Sequence, residues 1–526
     1  MRIVRDAIAL LISALIIWGI YYLWLPPVNL ASPAFWFFLI VAFVIIAAAL
    51  FIAGWFEEEF HEAIISACLA VVCVLVLSIG AIVGSPMCNS NAYYTRLSVA
   101  DTTFESEFEN VNWDSVPQID AASAQILGSR KMGTLVDEIS QYDVSNSYTL
   151  INCNGKPIRI APLGYAGLFK YNSNKNVGIP GYVTVDCVTK TAEFVRLDEG
   201  IQYSPSAFFS KDLKRHLRGQ YPSKFFEEFS FEIDDNGTPY YVVPTYRYAA
   251  GIGGAKVPDG CILVNPITGA SNFYVLSEVP EWVDHSISDE LAVDMINSWG
   301  KYESGWLNSW ISQKNVRQST KGNNFVTLGN DVYLYTGITS VAMDESNIGF
   351  ILVNMRTSES KYFEMPSAEE YSAMDSAKGQ VQHLGYSSTF PILINLNGEP
   401  TYFLSLKDAA GLVKMYALVS VENIQKLAVT DASLGIDYLV QEYSKAAGFD
   451  EVPDDELETV TFTIANIYTC VVEGNTQYYF EDSKGNIYMT DITQSVTLPV
   501  LVVGDEITVT YSATNIEKYF SITSIT

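Results

Sequence analysis

Histidine is the first residue to test for chemistry, because imidazole titrates near neutrality and is the commonest metal ligand. The chain has four, His61, His216, His285 and His383. A zinc or catalytic cluster needs several of them to converge. His61 sits at the edge of an apolar segment and the others fall in separate repeats at unmatched offsets, so separate surface or capping roles are expected. HExxH, GxSxG and Walker sequences are absent. The cysteines beyond residue 85 are Cys88, Cys153, Cys187, Cys261 and Cys470, and no two lie close together. Neither a zinc site nor a redox pair is expected, while disulfides and buried free thiols both stay open.

Three further stretches carry suggestive chemistry. "GIGGAKVPDG" (251–260) is glycine-rich, but it lacks the closing Lys-Ser or Lys-Thr of a phosphate loop and lies between strands, so an ordinary loop is expected. "EIDDNGTP" (232–239) and "AMDESN" (342–347) offer oxygens to calcium without EF-hand spacing, so solvated turns and no cofactor are expected, with weak calcium stabilisation between modules as the alternative. "NSWGKYESGWLNSWIS" (297–312) brings Trp299, Trp306 and Trp310 together, either as an aromatic surface for a protein or carbohydrate partner or as core. No catalytic residue is assigned.

The elements that would position these groups begin with three charge-free apolar runs, 7–25, 35–56 and 63–84. Each is long enough to cross a hydrocarbon core of about 30 Å, so a three-helix transmembrane anchor over 1–88 is expected. The runs hold no Asp, Glu, Lys, Arg or His, which argues against a transporter. Arg2 and Arg5 precede the first run and the short loops lack Lys and Arg, which sets the N-terminus in the cytoplasm and everything after the third span outside it. The net charge of −28 opposes nucleic acid as a partner.

Beyond a polar tether (89–118) the sequence repeats. "GYVTVDCVTKTAEFV" from Gly181, "GCILVNPITGASNFYV" from Gly260 and "GFILVNMRTSESKYF" from Gly349 share one hairpin plan, with Asp186, Asn265 and Asn354 as Asx residues of the turn. A helix-compatible stretch follows each (204–222, 284–300, 367–385), with Ser204, Ser286 and Ser367 as candidate caps. A second hairpin follows each helix, turning at Asn236-Gly237, Gly329-Asn330 and Asn397-Gly398, and Asn154-Gly155 closes an earlier, degenerate copy whose helix is 119–139. The unit reads as hairpin, helix, hairpin, although the tail of one unit and the head of the next could equally form each sheet. Four α+β modules are expected over 119–180, 181–255, 256–345 and 346–448.

The strand, Asp or Asn, Thr and second strand at Asp186, Asn265 and Asn354 resemble the PepSY-type module of bacterial surface and periplasmic proteins. More broadly, 119–443 resembles uncharacterised membrane-anchored bacterial proteins. The PepSY resemblance implies small α+β domains used for binding, inhibition or regulation outside the cytoplasm. An acidic linker (449–458) then leads to alternating short strands over 459–526, expected to close a small OB-like or SH3-like barrel. The functional expectation is a scaffold or binding protein of the bacterial plasma membrane, holding a protein partner, an envelope polymer or copies of itself. The alternatives are a membrane-bound hydrolase or regulator of an envelope enzyme, which needs paired carboxylates in one cleft, and a cytoplasmic-facing adaptor.

Overall fold

The computed structural model describes residues 2–55, 60–134, 141–341, 346–447, 458–472, 475–495, 497–513 and 518–525. Residues 449–457 of the acidic linker, the tail of the 119–139 helix and most of "AMDESN" lie outside the described residues. The chain divides into two compact units, Met1–Ser372 with Phe390–Pro400, and Ala373–Thr389 with Thr401–Thr526.

Three long helices open the first unit, Arg2–Trp24, Pro33–Gly54 and His61–Gly84. All are long and apolar enough to cross a membrane, with mean hydropathy of 2.1, 3.0 and 2.8. The second starts cleanly because the Ser32 hydroxyl accepts from Phe35 N at 3.2 Å and Pro33 fills the first turn, where no N–H is needed. The chain continues from the third helix straight into a short one, Pro86–Tyr94.

The segment expected to be a tether is folded instead. Val99–Asp101 joins a sheet in parallel with Ser360–Ala368. Leu97, Phe104 and Phe108 are buried. Phe104 and Phe108 stack at 5.0 Å, and both rings sit 6.0 Å from Phe363. Phe104 starts and Phe108 caps a single helical turn, Phe104–Glu107, too short to leave a periodic signal in the sequence.

Three antiparallel sheets follow, each pairing the second hairpin of one sequence stretch with the first hairpin of the next. The first sheet runs Thr149–Cys153, Lys156–Tyr165, Ile179–Asp186 and Ala192–Ile201, with Tyr142–Val144 also on the second strand. The next is Ser230–Ile233, Pro239–Ala250, Gly254–Val264 and Ser271–Tyr274. A third is built from Asn324–Leu328, Asp331–Ser340, Ser346–Asn354 and Ser360–Ala368.

Turn chemistry explains the recurrence. Asp186 Oδ1 accepts from Val188 N and Thr189 N, both at 2.8 Å. Asn265 Oδ1 does the same with Ile267 N and Thr268 N at 3.0 Å, as does Asn354 Oδ1 with Arg356 N and Thr357 N at 2.9 Å. Each turn closes through a residue at positive φ, Lys190 (60°), Gly269 (78°) or Ser358 (67°). Asn154-Gly155 and Asn397-Gly398 carry positive φ at both residues, as a type I′ turn requires.

The helices are shorter than their sequence stretches and their caps shift. Asp212 caps Leu213–Gln220 and Ser288 caps Asp289–Tyr302, in place of Ser204 and Ser286. Ser367 lies within a strand, and the third helix is Glu370–Gln380. The Asp289–Tyr302 helix buries Leu291, Ala292, Met295, Ile296 and Trp299 on one face, against Leu334, Ile338, Ile351 and Val353 of the third sheet.

The second unit holds the sheet of Ser387–Ser388, Glu399–Lys407, Val413–Ser420 and Leu427–Asp431, and the helix Ile436–Ala447. It ends in a six-stranded sheet ordered Glu458–Thr463, Glu506–Ala513, Tyr519–Ile525, Ile487–Asp491, Asn475–Glu481 and Asn466–Val472. Phe480, Tyr488, Leu498, Val509 and Ile522 form its core.

Candidate functional site

The stretch leading into the second sheet alternates sharply in burial. Phe225 and Phe226 are buried, Glu227 and Glu228 face solvent, and Phe231 and Glu232 are buried again. Across from it, the Asp289–Tyr302 helix uses its apolar face for the core, which leaves Glu290 and Asp294 to line an open cleft of about 280 Å³. Asp289 and Glu290 occupy the first turn, where the helix dipole favours negative charge. Arg96, from the strand-docked segment, closes one wall. Its guanidinium is buried and bonds Asp294 Oδ2 at 2.7 Å, Lys256 O at 3.0 Å and the Ser298 hydroxyl.

A second cavity of about 190 Å³ shares Glu228, Pro244, Ile287 and Ser288 with the first. It adds Tyr148, Arg159 and His285 to the lining. The two cavities therefore adjoin at the shared residues.

Two glutamates of the first cleft are pushed in opposite directions. Partial burial opposes charge on Glu227, but the Tyr246 hydroxyl at 2.6 Å and the Lys256 ammonium at 3.1 Å outweigh it and hold its carboxyl below the usual range. Burial and the neighbouring Asp289, Glu290 and Glu227 push Glu228 upward. Burial also raises the Tyr148 phenol to about 12 and lowers the Arg159 guanidinium.

Behind the cleft lies a sealed acidic cluster. Glu232 is fully buried and accepts from Asp284 N at 2.8 Å, His285 N at 3.2 Å and the Ser230 hydroxyl at 2.9 Å. Asp284 Oδ2 accepts from Asn152 N at 2.7 Å. Burial, then the charge of Glu232, drives the Asp284 carboxyl well above its ordinary value. His285 is also buried, which corrects the expectation of a surface role: its Nε2–H donates to Leu150 O at 2.7 Å, so it staples the first sheet to the loop before the helix. Nothing in the local sequence announced this cluster, because its members come from three distant segments.

The sequence candidates scatter. Trp299 is core, with the Arg317 guanidinium 4.2 Å from its ring, whereas Trp306 and Trp310 stack at 6.1 Å and Trp310 is 71% exposed. His216 Nε2–H donates to Gly269 O at 2.8 Å, far from His285 in its bonding network. In "EIDDNGTP" the Asp234 carboxylate is used by the turn, accepting from Asn236 N and Thr238 N. Among the described residues no group of three or more His, Cys, Asp or Glu is placed to hold a metal ion. The seven cysteines are unpaired.

"GIGGAKVPDG" has a role that the sequence did not indicate. Gly251, Ile252 and Gly253 form the tip of the second sheet's central hairpin, and this tip docks on the apolar helices. Ile252 N donates to Gly80 O and Gly253 N to Ala31 O, both at 3.0 Å. A Cβ on Gly80 would strike the Ile252 side chain, and one on Gly254 would strike the Gly84 carbonyl. Gly80 and Gly84 form a GxxxG pair, whose small face lets a neighbouring backbone approach closely. Here it receives a hairpin. Val28 N to Pro222 O at 2.7 Å and Arg218 Nε to Leu25 O at 3.2 Å make a second attachment beside it.

No family model and no curated protein matches this chain. Among solved structures, it is similar to Bacillus subtilis levansucrase at 10% identity, over 80% of this chain and 98% of that one, with a TM-score of 0.17, too low to carry an argument.

Proposed function

We propose that this chain is a membrane-anchored binding or scaffold protein whose body lies outside the cytoplasm of a bacterial cell and engages a protein partner, an envelope polymer or further copies of itself. The observation that carries this reading is the attachment of the body to the span ends opposite Arg2 and Arg5, at Leu25, Ala31, Gly80 and Gly84. Positive residues favour the cytoplasmic side, which leaves the body on the other. We read the repeated sheets as PepSY-like modules and the C-terminal sheet as a small OB-like or SH3-like barrel. The cleft around Glu228 and Glu290 is the recognition site, suited by its carboxylates to a cationic group of the partner.

Affinity capture from native membranes with mass spectrometry tests this, comparing the natural chain with a Glu228→Lys, Glu290→Lys variant. A partner recovered with the first and lost with the second supports the cleft. Recovery that charge reversal leaves unchanged removes it.

Two carboxylates lining one cleft, Glu227 and Glu228, favour a second reading, a membrane-bound hydrolase that uses them as its acid-base pair. Cleavage of envelope glycan or peptide by the purified chain, abolished by Glu228→Gln, would establish it. Cleavage unaffected by Glu227→Gln and Glu228→Gln would exclude this site.

A further inference from the structure

The surface next to the spans carries two apolar patches that the core does not explain. Beside the first span, Phe209 is 59% exposed and held at φ 56°, a conformation unfavourable for a bulky side chain. Its carbonyl accepts from Arg215, whose guanidinium lies 4.1 Å from the Tyr22 ring and donates to Tyr22 O. Phe209 is thus tied to the last turns of the Arg2–Trp24 helix. The neighbouring Phe208 carbonyl accepts from the Tyr171 hydroxyl at 3.0 Å, which brings in the short helix Leu168–Asn174. Its first two residues, Leu168 and Phe169, point into solvent, Phe169 almost completely.

The other patch lies beside the third span. The Pro86–Tyr94 helix continues from Gly84, and the Tyr93 hydroxyl bonds back to Gly84 O at 2.9 Å. Gly305–Trp310 packs against that helix and exposes Leu307, Trp310 and the following Ile311, each more than 60%. In sequence, Lys170 and Lys211 neighbour one patch and Lys301 and Lys314 the other, with the Lys211 ammonium over the Tyr203 ring and that of Lys301 near the Tyr302 ring.

We propose that the body stands on the bilayer through these two patches, Leu168, Phe169 and Phe209 on one side of the anchor and Leu307, Trp310 and Ile311 on the other, inserted at the boundary between headgroups and acyl chains. Continuity with the spans selects lipid as the occupant: each patch is attached to the terminal turn of a membrane helix, at the level where aromatic side chains partition and lysines reach for phosphate. The geometry holds whichever side of the membrane the body occupies, and rests only on the three helices being spans.

Spin labels test it in the full chain, reconstituted in vesicles of palmitoyl-oleoyl phosphatidylcholine, with Cys68, Cys88, Cys153 and Cys470 first replaced by Ser or Ala. Labels are placed singly through Phe169→Cys, Trp310→Cys, Asn236→Cys as the water reference, and Val72→Cys within the third span. The expected result is an oxygen to nickel-chelate accessibility ratio several-fold higher at 169 and 310 than at 236. A ratio at either patch equal to that at 236 overturns the proposal. So does exclusion of both reagents there, which would mean that protein, including a second copy, covers the patch. A water-like label at 72 would instead refute the spans themselves.

Discussion

The Asx residues Asp186, Asn265 and Asn354 were legible in the sequence because their effect is local: a short side chain bonds backbone N–H groups two and three residues on, and no distant partner is required. The turns still contain a cost. Lys190 and Ser358 occupy the left-handed region that Gly269 fills in the corresponding position. Lys190→Gly and Ser358→Gly are each expected to stabilise by about 0.5–1 kcal/mol, measured as a shift in thermal unfolding, whereas Gly269→Ala should lose more than that, because a Cβ there also strikes the Tyr203 ring. The sealed carboxyls illustrate the opposite case. Glu232, Asp284 and Asn152 mean nothing until three segments meet, so no reading of neighbours could reveal them. Their consequence is a dependence on pH. The Asp284 carboxyl is raised in the fold, so its stabilising contribution is complete below its unfolded value near 4 and is lost as pH rises through the folded one. Asp284→Asn keeps an oxygen for Asn152 N and removes the titration. It should match the natural chain at pH 4 and be the more stable of the two at pH 8 in detergent, and an equal difference at both pH values would refute this. Glu232→Gln should not rescue in the same way, since both Glu232 oxygens already accept from backbone N–H groups.

Element existence was readable and element partnership was not. The periodicity of 284–300 marked a helix, and the helix is there, but its apolar face covers the third sheet after following the second in sequence. Hairpins were found through Asn-Gly, while the grouping of a tail hairpin with the next head hairpin depends on strand pairing that turn residues do not encode. The glycine-rich 251–260 stretch looked like a loop for the same reason. Its glycines serve a partner about 170 residues upstream, the Gly80 and Gly84 face. Gly254→Ala puts a methyl group into the Gly84 carbonyl and should cost about 1–3 kcal/mol. Gly219→Ala, in the Leu213–Gln220 helix with open space around it, should instead stabilise by roughly 0.5–1 kcal/mol. Comparing the two in one detergent separates loss of docking from a general effect of replacing glycine.

For the whole molecule, three apolar helices were evident from composition alone, since about twenty residues without charge have few other uses. What composition could not show is that the anchor and the first body share packing, with hydrogen bonds from Ile252, Gly253, Arg218 and Val28. Protease added to intact spheroplasts should cleave the body while the Arg2 end stays protected; full protection of the body would reverse the orientation. The docked hairpin also imposes an order of assembly. The third span leaves the ribosome roughly 170 residues ahead of Ile252, which at about 5–20 residues per second is a delay on the order of 10–30 s. Through that interval the Gly80 and Gly84 face is open to any other helix in the bilayer. Completion of the second sheet is therefore the event that withdraws the anchor from competing helix pairings, and a slow codon stretch or a destabilised hairpin should show up first as misassembled spans.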